Sequence, residues 1–124
     1  MSDKLLAQVQ KIYQEADLLD GSATLYNKAL ELLEKLSQKE KYLERSLNLR
    51  WHIYYLRTQH DLALLDLDKL IKIDSLNRNA FYNRGVVKQH IKDYVAALTD
   101  FEQAMYLAIQ YQDEDLIQII MDRL

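Results

Sequence analysis

An all-α fold is predicted for this chain by three observations: helix breakers are nearly absent, apolar residues recur at helical spacing, and the pattern repeats after 34 residues. Of 124 residues, 2 are Gly and none is Pro. These two types are the least favourable in a helix interior, Gly by about 1 and Pro by about 3 kcal/mol relative to Ala. Hydrophobic residues make up 49% and charged ones 28%, which provides both a core and a solvated exterior. The length suits a single domain over residues 1–124.

The repeat emerges when the sequence is shifted by 34. Arg50 then falls on Arg84, Ala63 on Ala97, Leu64 on Leu98 and Asp66 on Asp100. Leu47 meets Phe81, Ile53 meets Val87, Leu67 meets Phe101 and Ile73 meets Leu107. The paired Ala63 and Ala97 are the most telling, because a small residue in the same slot twice implies helices too close for a larger side chain.

Taken in order, a first and weaker copy covers residues 3–36. Gly21 and Ser22 are expected to divide its two helices, glycine ending one and serine capping the next. Ser37 followed by Glu40 reads as a capping box that opens a longer helix and accounts for seven residues beyond the period. The second copy, residues 44–77, turns after Thr58, where Thr58 with Asp61 forms another capping pair. The third copy occupies residues 78–111 and breaks near Lys92 and Asp93, with Asp93 capping the helix that follows. In that helix Tyr94, Ala97, Leu98, Phe101, Ala104 and Met105 form an apolar stripe. After a cap at Asp113, residues 114–124 read as a seventh helix covering the last repeat. Tyr13, Tyr26, Tyr54 and Tyr94 fall on apolar faces and are assigned to the core, while Tyr55, Tyr82 and Tyr111 are not.

Residues 80–107 resemble a tetratricopeptide (TPR) repeat: aromatic Phe81, Gly85 where the paired helices touch, Tyr94 opening the second helix, then Ala97, Phe101 and Ala104. The preceding copy is similar but departs at Trp51 and Leu70, where the family prefers small residues, and at Ser75, where it commonly has proline. The resemblance implies a right-handed α-solenoid of about three helix-turn-helix repeats plus a C-terminal capping helix. It also implies a concave groove, lined by the first helix of each repeat, that binds a peptide or protein segment. Carried over residue by residue, the groove positions are Asn79, Tyr82, Asn83, Val86, Gln89 and His90 in the third copy. In the second they are Arg45, Asn48, Leu49, His52 and Tyr55, and in the first Lys4, Ala7, Gln8, Lys11 and Gln14. Amides and aromatic rings suit this role, since an amide both donates to and accepts from a peptide backbone. Some family members clamp a terminal carboxylate. Here Asn83 and Arg45 sit in comparable slots, but Ala7 replaces a lysine and Val86 is uncharged, so that clamp is incomplete.

Other chemistries find little support. The net charge is −3 with both signs interspersed, whereas a nucleic-acid binder concentrates positive charge on one face. With no Cys there is no disulfide framework or thiolate site. His52, His60 and His90 lack the spacing of paired metal ligands, and neither Gly21 nor Gly85 belongs to a phosphate loop. The carboxylates Asp113, Glu114 and Asp115 cluster where a helix dipole favours them. Residues 1–13 form no signal-peptide core, and no run of about 20 apolar residues is present to span a membrane. The expectation is a non-catalytic, cytoplasmic, cofactor-free protein-interaction module, monomeric or weakly dimeric. The alternative is a structural module that self-associates without a peptide ligand.

Overall fold

The structure, a computed structural model, describes the backbone of residues 2–18 and 23–124 and the side chains of residues 3–15 and 23–124. Among these residues there are seven α-helices and no strand: α1 Ser2–Leu18, α2 Ala23–Ser37, α3 Leu43–Leu56, α4 His60–Ile73, α5 Arg78–His90, α6 Tyr94–Gln110 and α7 Glu114–Arg123. The chain forms two compact units, Met1–Asp66 and Leu67–Leu124. Gly21 and Ser22, the expected divider of the first copy, lie outside the described residues.

In the first unit, α1 turns Leu6, Val9 and Ile12 inward at three-residue spacing, and α2 answers with Tyr26, Ala29, Leu33 and Leu36. Ile53 of α3 closes the same cluster. The passage from α2 to α3 differs from the expected capping box. Ser37 is the last residue of α2, with its hydroxyl donating to the Glu34 carbonyl, and Glu40–Tyr42 form a short 3₁₀ turn before α3 starts at Leu43. The physical reason is tertiary: the turn delivers the Tyr42 ring to the core, where its hydroxyl donates to Asp3 at 2.7 Å. That bond holds the Asp3 carboxyl below its usual range.

The expected pair at Thr58 is also replaced. Thr58 adopts a left-handed backbone, φ 58°, its hydroxyl donates to the Arg57 carbonyl, and α4 begins at His60. A residue in that conformation reverses the chain after α3 as a helix-ending glycine would, so the side chain is not presented to the next helix.

The second unit follows the sequence reading closely. Asn77, Asp93 and Asp113 cap α5, α6 and α7, each accepting from the amide three residues on. The Asp113 carboxyl lies below its ordinary range because Arg78 donates to it at 2.8 Å and the Leu116 amide adds a second bond. Phe101, Ala97, Ala104, Val87 and Ile120 are buried. Gly85 marks a close helix approach: a Cβ there would stand 2.7 Å from the Phe101 ring and 3.2 Å from the Ala97 carbonyl. Tyr94, expected in the core, is 60% exposed. It is the first residue of α6, directly after the cap, and its ring, which leans toward the helix N-terminus, has no preceding turn of helix to lie on.

Candidate functional site

The faces of α3 and α5 are held in place by one polar arrangement that occurs once in each unit. In the first, Arg50 of α3 grips the buried Asp66 of α4 with two parallel bonds, Nε to Oδ2 at 2.8 Å and Nη2 to Oδ1 at 2.7 Å, and its Nη1 reaches Glu34 of α2 at 2.8 Å. In the second, Arg84 of α5 grips the buried Asp100 of α6 at 2.9 and 2.7 Å and reaches Asp68 of α4 at 3.0 Å. Bidentate guanidinium–carboxylate bonding fixes orientation as well as distance. Each arginine thereby locks its helix against the next and sets which residues point outward. The aspartate bonds also raise both arginines above their usual range, so neither loses its charge.

On the first unit, α3 carries a run of aromatic side chains. Trp51 and His52 have ring centres 5.2 Å apart, His52 stacks on Tyr55 at 6.3 Å, and Tyr55 stacks on His60 at 6.1 Å. Tyr13 of α1 joins this run, its hydroxyl hydrogen-bonded to Nδ1 of His52. His52 and Tyr55 are half-buried, whereas Arg45 and Asn48 are exposed, Asn48 accepting from the Trp51 indole at 2.9 Å. Leu49, read as a groove residue, instead packs against the core of α1 and α2. Lys4, Ala7, Gln8, Lys11 and Gln14 are exposed along α1.

On the second unit, Tyr82, Asn83 and Gln89 of α5 are half-buried and Asn79 and His90 exposed. Val86 is 8% exposed, so it supports the face from beneath instead of offering a contact. Its neighbours Gly85 and Val87 are buried too, which places that turn of α5 in the core. Tyr82 and Gln89 line an open depression of about 480 Å³ with Ile119, Asp122 and Arg123 of α7. Arg123, unremarkable in the sequence beyond being a cation in the last turn of a helix, donates to the Tyr82 hydroxyl at 3.0 Å and to Gln89 Oε1 at 2.8 Å. Its guanidinium also lies 5.6 Å from the centre of the Tyr82 ring. Only a contact between residues 41 apart in sequence reveals this role.

No group of three or more His, Cys, Asp or Glu side chains among the described residues is placed to hold a metal ion, and no described helix is long and apolar enough to cross a membrane. No family model matches the sequence, and no curated protein matches it. Among solved structures the chain is similar to PcrH, determined in complex with the chaperone binding region of PopB. The TM-score is 0.83 at 16% identity, over 99% of this chain and 94% of that one. At such low identity the likeness is one of backbone architecture, and the chain accordingly has a TPR-like helical-repeat fold.

Proposed function

We propose that the protein is a non-catalytic module that binds a peptide or protein segment along the outward faces of α3 and α5. The observation that carries this reading is the depression on α5 and α7, where a half-buried tyrosine ring and amide stand beside an exposed guanidinium above a well-packed base. Aromatic rings supply contact area and amides pair with a peptide backbone, while no residue there forms a nucleophile–base pair. The similar protein PcrH was determined with a segment of another protein bound, which agrees with the reading.

The test is capture from native extract with the whole chain as bait, repeated with Asn83→Ala combined with Arg45→Ala. These positions are preferable to Tyr82, whose ring packs 5.8 Å from that of buried Phe101, so that truncation there would disturb the fold as well. Capture is expected to fall several-fold with an unchanged melting temperature, about 1–2 kcal/mol for the lost contacts. Equal capture by the double variant would remove α3 and α5 as the binding faces. Exposed Ile119, Met121 and Leu124 on and after α7 favour self-association as the second reading, which light scattering across a concentration range decides.

A further inference from the structure

The cations of the second unit are not used alike. Arg78 faces Asp113, Arg84 faces Asp68 and Asp100, and Lys88 faces Asp100, all within 3.0 Å. Arg123 differs. Its Nε and Nη1 are bonded to neutral oxygens, the Tyr82 hydroxyl and the Gln89 amide, and its plane lies over the Tyr82 ring. These contacts orient the guanidinium without neutralising it, and among the described residues no carboxylate lies within ion-pair distance. Asp122 shares the rim but accepts from the Gln118 amide at 2.8 Å.

Beside this charge the surface turns apolar. A second depression, about 240 Å³, shares Gln89 and Arg123 with the first and continues over Tyr94, Leu98 and Leu124. Those three are 60%, 46% and 68% exposed, an unusual degree for large apolar side chains grouped together. A pre-oriented cation next to an open apolar hollow matches an acidic side chain next to a large apolar one, because each group then meets its complement without rearranging the site.

We infer that Arg123 receives the side-chain carboxylate of an Asp or Glu in the bound segment, while a neighbouring Leu, Ile or Phe of that segment fills the hollow at Tyr94, Leu98 and Leu124. The inference rests on the proposed peptide-binding role and names the chemistry of its partner. Arg123 completes the carboxylate contact with donors left over from Tyr82 and Gln89, and a guanidinium presents five in a planar fork.

The experiment uses acetylated, amidated octapeptides in which one position is Glu, Gln or Lys and the residue two places away is Leu or Ser. Binding to the full chain is read by fluorescence anisotropy. The Glu/Leu peptides are expected to bind about tenfold more tightly than the Gln/Leu peptides, the usual size of one charge-assisted bond, and the advantage should shrink in high salt. Arg123→Gln should erase the Glu-over-Gln preference and Arg123→Lys should keep part of it. Equal affinity of Glu and Gln peptides, or a Glu preference that survives Arg123→Gln, overturns the inference while leaving the peptide-binding role intact. A stronger response to a free C-terminal carboxylate than to an internal Glu also overturns it. Absence of binding by every peptide removes both the inference and the role beneath it.

Discussion

The two units build the same arginine–aspartate lock and surround it differently. Arg50 and Arg84, Asp66 and Asp100, and the third partners Glu34 and Asp68 each recur 34 residues apart, and the bond lengths agree within 0.2 Å. Around the lock the period fails. Where the second unit has Lys88, whose ammonium lies 3.0 Å from Asp100, the first has Tyr54, whose ring lies 6.0 Å from the Arg50 guanidinium. Where the second has Gly85 against Phe101, the first has Trp51 in the run of rings along α3. The polar lock is thus the common element of the hairpins, while the packing beside it is free to differ and gives each unit its own outward face.

The sharpest way to break this comparison is to remove the arginines one at a time. Arg50→Ala leaves Asp66 almost wholly buried with no second cation paired to it among the described residues, whereas Arg84→Ala leaves Asp100 its lysine. Urea unfolding is expected to show a loss of about 3–5 kcal/mol for Arg50→Ala, the usual cost of orphaning a buried charge, and roughly half that for Arg84→Ala. Equal losses would mean that Lys88 contributes nothing to the second lock.

A smaller effect is expected at the close approach. In Gly85→Ala the new methyl group meets the buried Phe101 ring at 2.7 Å, an overlap that costs about 1–3 kcal/mol, offset by the ~1 kcal/mol helix advantage of Ala over Gly. Thermal unfolding should therefore show a net loss. A gain in melting temperature would mean that the α5–α6 contact is looser than the structure shows.

The least effect, and of opposite sign, belongs to the turns. Thr58 and Lys92 also stand 34 apart, and both hold positive φ, 58° and 66°. Replacing either by Gly relieves a left-handed conformation and is expected to stabilise by up to about 1 kcal/mol, more for the β-branched Thr58 than for Lys92. Calorimetry of the two variants side by side checks the order.

Much of the helical layout was legible because local chemistry and tertiary need agree in the second unit. Asp93 and Asp113 cap as their positions suggest, and Ala97 is buried at the close helix approach. In the first unit the two disagree. Ser37 and Glu40 have the spacing of a capping box, yet the demand of Tyr42 for the core sets the path. The locks were half-visible: Arg50, Arg84, Asp66 and Asp100 all recur with the period, but apolar patterning alone does not say that the two charges meet. Their common separation of 16 residues, on helices otherwise rich in leucine and alanine, is the signal that would have paired them. Of the outward positions, Val86 and Leu49 were misplaced because period arithmetic assigns a helix face without the width of its buried stripe. Arg123 lay beyond sequence reasoning, since its partners lie on a different helix and carry no charge.

The central claim, that α3 and α5 present the binding faces, is tested most directly by hydrogen–deuterium exchange of the whole chain with and without a captured partner segment. Slower exchange is expected along Leu43–Leu56 and Arg78–His90 and at the Arg123 end of α7, with α2 and the outer side of α6 unchanged. Protection confined to α2 and α6, with α3 and α5 unaffected, would contradict it.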